Sequence, residues 1–231
     1  MKPLKKKNVI AIDGPAGAGK STIAKIVARK LGYLYIDTGA MYRAITWKVL
    51  KENIPLDDVD AIVSLAEKTK LELKISPSGR LKILVDGKDV SSDIRKESIS
   101  KRTNEIASIG GVRNILRHKQ QEMGAAGQGV VMEGRDIGTC VFPDAGYKFY
   151  LDASIDERAR RRYYQLLKKG EKVNLARIKK AIAERDYKDK NRGINPLRQA
   201  EDAVVIDSTH LTLKEVAKVI LDYVRRKKRQ R

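Results

Sequence analysis

The feature that most limits what this chain can fold into lies at residues 14–22. Lys7–Asp13 (KNVIAID) is a short apolar run, rich in β-branched residues and stopped by glycine, which is the pattern of a buried strand. Gly14-Pro15-Ala16-Gly17-Ala18-Gly19-Lys20-Ser21-Thr22 follows it. From Lys20 to Leu31 the apolar residues Ile23, Ile26, Val27 and Leu31 recur at helical spacing, and Gly32 supplies a stop. Gly14-x-x-x-x-Gly19-Lys20-Ser21 between a strand and a helix is the phosphate-binding loop pattern in its required context. Glycines let successive N–H groups converge on an anion at the positive end of the helix. In that geometry Lys20 reaches the β- and γ-phosphates, and the Ser21 hydroxyl ligates Mg²⁺. The alternative, a chance glycine-rich turn, would not need both flanks as well as the pattern.

The rest of the chain alternates short strands with helices. Tyr33–Ile36 reads as a strand running into Asp37-Thr38-Gly39-Ala40-Met41-Tyr42-Arg43 and a second helix, and 58–69 as a third. Leu71–Ser76 and Arg80–Val85 alternate polar and apolar around Pro77-Ser78-Gly79, so they predict an antiparallel hairpin, and Asp86-Gly87 a second turn before a short strand. Helices are expected over 97–108, 111–125, Ile155–Lys168, Leu175–Tyr187 and 212–228, and strands over Val130–Glu133, Lys148–Asp152 and Ala203–Asp207. The expected fold is α/β: a parallel five-stranded sheet flanked by helices, with a meander-containing insert and no internal repeat. Apolar runs such as VIAI fall far short of the ~20 residues a bilayer span needs. The basic N-terminus lacks the apolar stretch and cleavage site of a secretory signal. Cys140 has no second cysteine to pair with, which fits a reducing cytoplasm.

Charge sharpens this. The 231 residues carry a formal net charge of +20, which first suggests a polyanionic partner. Residues 1–8 hold four lysines and no acid, and 225–231 six basic residues and no acid, so the ends supply +10. The stretch 158–192 holds 14 basic and 4 acidic residues, another +10, and the remainder has 25 of each. Basic ends are usually solvated and disordered. A folded segment seldom concentrates like charge without a ligand to offset it.

A phosphate loop alone does not separate kinases from GTPases or motor ATPases. No Asn-Lys-x-Asp for guanine is present, and the candidate acidic strand Val130-Val131-Met132-Glu133 runs straight into Gly134-Arg135-Asp136, where an arginine suits phosphate binding better than water activation. Transfer to a small acceptor remains. Here the chain resembles the bacterial cytidylate (CMP/dCMP) kinases, nucleoside monophosphate kinases related to adenylate kinase. Four segments carry the resemblance: Ile12–Thr22, Asp37–Arg43, Glu133–Thr139 and Glu184–Arg192, with Asp207-Ser208-Thr209 near the end, and it spans roughly residues 8–224.

The resemblance implies a core of 8–57, 108–155 and 195–228, an enlarged acceptor-side insert over about 58–107, a helical lid over about 156–194 and disordered tails at 1–7 and 226–231. It implies ATP bound by Gly14, Pro15, Ala16, Gly17, Ala18, Gly19, Lys20, Ser21, Thr22 and Arg158, with Mg²⁺ on Ser21. Thr38, Tyr42 and Arg43 would line the acceptor nucleotide, with Arg43 and Arg135 on its phosphate. Arg113 and Asp136 would read the cytosine edge. Asn104 stands where a serine is expected beside the base, and its amide both donates and accepts. Arg185 and Asp189 would hold the sugar, and Arg192 with Arg185 would contact phosphate. The catalytic cations would be Lys20, Arg135, Arg162, Arg185 and Arg192. The implied partners are ATP and CMP or dCMP, in a cytoplasmic monomer with no membrane and no specific nucleic-acid partner.

The residues support this independently. A planar guanidinium makes bidentate phosphate contacts, so Arg43, Arg135, Arg185 and Arg192 suit the task. Arg158, Arg161 and Arg162 stand at i, i+3 and i+4 and share a helix face that could close over phosphates. An ordinary solvated basic helix is the competing reading, and it applies to Lys168, Lys169, Lys179 and Lys180. Gly170 reads equally as a hinge or a helix stop. His118 and His210 read as surface residues, Cys140 as inert packing and Trp47 as core. Two other functions stay open: a kinase for another acceptor such as UMP or shikimate, and a nucleic-acid binder using the basic segments, against which stand only 5% aromatic residues and no base-reading motif.

Overall fold

The computed structural model describes residues 8–75, 81–125 and 129–230. In chain order the elements are β1 (Val9–Asp13), α1 (Lys20–Leu31), β2 (Leu34–Asp37), α2 (Thr38–Lys51), α3 (Val59–Lys68), β3 (Leu71–Ile75), β4 (Leu81–Val85) and β5 (Lys88–Asp89). Then follow a 3-10 turn (Asp93–Arg95), α4 (Glu97–Ser108), α5 (Gly110–Ala125), β6 (Val130–Gly134) and a π-helical turn (Ile137–Val141). β7 (Tyr147–Asp152), α6 (Ile155–Leu167), α7 (Leu175–Asn191), β8 (Val204–Asp207) and α8 (Leu213–Arg229) complete the chain. Packing divides it into two units, Ile36–Ala126 and the segments on either side of it.

The first unit is built on a five-stranded parallel sheet of order β2-β6-β1-β7-β8. β1 (VIAID) and β6 (VVMEG) are buried along their whole length, as expected of strands covered on both faces. Their register sets Ile12 beside Glu133, and Asp13 beside Gly134 on one side and Tyr150 on the other. The C-terminal ends of three strands thus bring polar residues together where ligands bind in open parallel sheets. α1 buries Ile23, Ala24, Val27 and Ala28, and Gly32 ends it in a left-handed conformation. α8 begins with a capping box of Thr212 and Glu215 and buries the stripe Val216, Ala217, Ile220, Leu221 and Val224.

Several expectations are corrected in detail. The tail expected to be disordered from 226 is helical through Arg229. Cations are favoured at a helix C-terminus, and Lys228 Nζ donates to the Tyr33 hydroxyl at 2.7 Å. Residues 1–7 and Arg231 lie outside the described residues. α7 runs four residues beyond Tyr187, to Asn191. Gly170 is a helix stop: it sits at φ 77°, and the N–H groups of Gly170 and Glu171 close back onto Leu167 and Leu166 at the end of α6.

In the second unit β3, β4 and β5 form a separate antiparallel sheet, with Leu71 opposite Val85 and Leu73 opposite Ile83. Asp86 and Gly87 both adopt positive φ, the requirement of a tight two-residue hairpin. The other expected turn, at Pro77–Gly79, lies outside the described residues. α2, α4 and α5 pack around one another, and α5 approaches α3 so closely that a Cβ at Gly111 would stand 2.6 Å from Val63. Trp47 is half-buried rather than core, with the ammonium groups of Lys51 and Lys88 5.0 and 5.5 Å from its ring centre. Both ammonium groups lie within cation–π range of the ring.

Candidate active site

The phosphate loop connects β1 to α1 and is shaped by close approaches. Gly14 has φ +145°, and a Cβ there would stand 2.0 Å from the Leu151 carbonyl oxygen of β7. Gly19 is the N-terminal cap of α1 in the left-handed region, with no side chain capping the helix and no acidic residue in its first turn. The N–H groups of Thr22 and Ile23 close onto the Gly19 carbonyl at 3.1 Å, and the N–H groups ahead of them, at the positive end of the helix, lie where an anion is favoured. Ser21 and Thr22 are exposed there, whereas Lys20 is buried.

Lys20 Nζ donates to the Pro15 carbonyl at 2.7 Å. Burial, together with the cations of Arg135 and Arg185, pushes its pKa down to about 7, against the opposing charges of Glu133 and Asp13. Asp13, the last residue of β1, is buried as well. Its carboxylate accepts the N–H groups of Ile137 at 2.9 Å and Gly138 at 2.7 Å, fixing the π-helical turn that follows β6. Burial pushes Asp13 up to about 6, although those two donors favour its ionised form. Glu133 is buried beside them and accepts from the Tyr35 hydroxyl at 3.1 Å.

Around these lies a set of paired charges. Arg135 Nε donates to Asp189 Oδ2 at 2.8 Å, and Arg192 Nη2 stands 3.6 Å from Asp136 Oδ1. Burial would raise the pKa of Asp189, but Arg135, Arg185 and Arg192 outweigh it and hold the carboxyl below its usual range. Asp189 in turn raises the pKa of Arg135 against the effect of burial. Arg158 Nη1 donates to Asp186 Oδ2 at 2.5 Å and to the Ala16 carbonyl at 3.0 Å. Arg161 binds Glu157 at 2.9 Å and reaches Ser208, whose hydroxyl donates to the Asp152 carbonyl.

Of the three arginines expected on one face of α6, Arg158 is buried on the loop, Arg161 is half-buried, and Arg162 is exposed and donates to Gln165 of its own helix at 2.8 Å. In the basic stretch 158–192, Arg160, Arg162, Lys168, Lys169, Lys172, Arg177, Lys179, Lys180, Lys188 and Lys190 are all exposed, so the excess charge is largely solvated. The site itself balances Lys20, Arg135, Arg158, Arg185 and Arg192 against Asp13, Glu133, Asp136, Asp186 and Asp189.

The remaining acceptor candidates belong to the second unit. Asp37 caps α2 by accepting the Ala40 N–H at 2.8 Å and pairs with Arg43 at 3.0 Å. Thr38 is buried in the first turn of α2. One turn on, Tyr42 lies under the Arg113 guanidinium, 5.5 Å from ring centre to Cζ. Arg113, nearly wholly buried, donates to the Ala107 carbonyl at the end of α4, and Asn104 is half-buried on the same helix. Among the described residues no set of three or more His, Cys, Asp or Glu side chains is gathered to hold an ion.

Residues 10–226 match the profile of the family described as cytidylate kinase. The chain belongs to the cytidylate kinase family. It is 52% identical to the cytidylate kinase of Bacillus velezensis over 97% of this chain and 99% of that one. It is 50% identical to that of Bacillus subtilis, covering 98% of this chain and all of the relative. An uncharacterized protein from Eubacterium ventriosum shares the fold with a TM-score of 0.51 at 9% identity, over 95% of this chain and 98% of that one.

Asp13, Glu133 and Asp186 went unassigned in the sequence reading. Asp13 and Glu133 carry a visible signal, a carboxylate ending an otherwise apolar strand. Asp186 carries a weaker one, because it lies three residues before Asp189 on the same helix face.

Proposed function

We propose that this enzyme transfers the γ-phosphoryl group of ATP to CMP and dCMP, giving ADP with CDP or dCDP. The observation that carries this reading is a buried lysine in a complete phosphate loop, flanked by arginines at the end of β6 and along α7, in a chain matched to the cytidylate kinase family over residues 10–226.

An oxygen of the acceptor phosphate attacks the γ-phosphorus in line. One P–O bond forms as the bond to the β-phosphate oxygen breaks. The attacking oxygen is already anionic, so no side chain has to remove a proton, and catalysis consists of positioning and charge stabilisation. The loop N–H groups from Gly14 to Thr22 bind the ATP phosphates, and Lys20 exchanges the Pro15 carbonyl for phosphate oxygens. Ser21, with its exposed hydroxyl at the start of α1, suits Mg²⁺, which takes one or two protein ligands and completes its shell with phosphate oxygens and water. The ion would neutralise charge on the phosphates.

Thr38, Tyr42 and Arg43 line the acceptor, Arg43 and Arg135 bind its phosphate, and Arg113, Asp136 and Asn104 read the base. Arg185 and Asp189 hold the sugar, and Arg185 and Arg192 contact phosphate. The segment of about 156–194 serves as the lid, with Arg158 on ATP and Arg162 joining on closure, which excludes water. The insert of about 58–107 serves the acceptor. A cytoplasmic monomer completes the reading; the single cysteine, with no second to pair with, suits a reducing compartment. Lys20→Ala and Arg135→Ala are expected to abolish CMP-dependent ADP release while leaving the fold intact by circular dichroism. Near-normal turnover in either variant would overturn the mechanism.

A further inference from the structure

We infer that Asp186 is a positioning residue for the ATP side of the site, acting through Arg158 and the Ala16 peptide; the inference rests on the kinase reading above. Asp186 lies on α7 and is 7% exposed. Its Oδ1 accepts the Ala16 N–H at 3.3 Å, and its Oδ2 accepts Arg158 Nη1 at 2.5 Å. The same Nη1 donates to the Ala16 carbonyl at 3.0 Å, while Arg158 Nε donates to the Ala153 carbonyl at 2.9 Å. Both polar groups of the third residue of the phosphate loop are therefore held, one by a carboxylate and the other by the guanidinium paired with it. The backbone is pressed against the pair: a Cβ at Gly17, which has φ +81°, would stand 3.2 Å from Arg158 Cβ.

This arrangement ties three segments together. α6 supplies Arg158, the loop supplies Ala16, and α7 supplies Asp186. On α7, Asp186 shares its buried face with Ile182 and Asp189, and Arg185 precedes it directly. A neutral residue at 186 would leave the Arg158 guanidinium buried beside the loop without its carboxylate partner. The group that loses orientation is the loop backbone, which is required for ATP and not for the acceptor base.

The test is calorimetric binding of ATP·Mg to the full chain, alongside steady-state KM values for ATP and for CMP, in wild type, Asp186→Asn and Asp186→Ala. The alanine variant is expected to lose on the order of tenfold in ATP affinity, by analogy with the loss seen when partners that orient metal ligands are removed, with KM for CMP within about twofold of wild type. The asparagine variant is isosteric and still accepts the Ala16 N–H, so it recovers part of the loss and answers the question even where the alanine variant fails to fold. Unchanged ATP affinity in the asparagine and alanine variants would overturn the inference. So would tighter ATP binding, which would make the Ala16 contact a brake, or equal loss on both substrates in step with lowered melting temperature, which would make Asp186 merely structural. Failure of the kinase reading is distinguishable: ATP would bind wild type without any CMP-dependent turnover.

Discussion

Lys20 should take up a proton when ATP binds, and the amount follows from its surroundings. Burial and the cations of Arg135 and Arg185 hold its pKa at about 7. At pH 8 such an amine is roughly nine-tenths neutral. Asp13, pushed up to about 6, is about 99% ionised at that pH and contributes little. A polyphosphate beside Lys20 adds negative charge close to the amine, which favours its charged form and raises its pKa back toward that of an ordinary lysine. Binding at pH 8 should therefore carry an uptake of at most about 0.9 proton at this group, falling to at most about 0.1 at pH 6, where the amine is already charged. Calorimetric titration with ATP·Mg at pH 8 in Hepes and in Tris measures it, since the difference in observed heat divides by the difference in buffer ionisation heat. The Lys20→Met variant should lose the linkage. An uptake indistinguishable from zero in the wild type, or an equal uptake in Lys20→Met, would refute the assignment of a mostly neutral Lys20 at pH 8 before ATP binds.

Two further outcomes follow from geometry. Gly14→Ala places a Cβ 2.0 Å from the Leu151 carbonyl at φ +145°, so loop and β7 must part; a loss of about 3–5 kcal/mol is expected, lowering the melting temperature by roughly 6–20 °C. Asp13→Asn turns an amide donor toward the N–H of Ile137 or Gly138, both of which now donate to the carboxylate. It should destabilise the fold by about 1–3 kcal/mol in urea denaturation at pH 8, and a neutral result would show that the turn does not depend on that anchor.

Most of the sheet and the phosphate loop were legible because their signals are local. Apolar β-branched runs end at glycine, and amphipathic spacing resumes at once, as in Val9–Asp13 and Lys20–Leu31. The small sheet was legible from period-two alternation and Asp86-Gly87. The π-helical turn at Ile137–Val141 was not, because it is imposed by Asp13 from about 125 residues earlier in the chain. The role of Asp186 was hidden for the same reason, since its partners Ala16 and Arg158 are 170 and 28 residues away. Trp47 misled because composition marks tryptophan as core, while two lysines lie within cation–π range of its ring. Charge misled in a subtler way: the large excess on 158–192 suggested a strongly cationic site, yet the buried cations are matched by carboxylates and the excess faces solvent.

The most direct test of the account is ADP release from ATP·Mg with CMP, dCMP, UMP and AMP supplied in turn, with product identified by ion-exchange chromatography. CMP and dCMP should each accelerate ADP release and yield one CDP or dCDP per ADP, well above UMP and AMP. Release that neither cytidine nucleotide accelerates, or ADP formed without a matching diphosphate product, would contradict it.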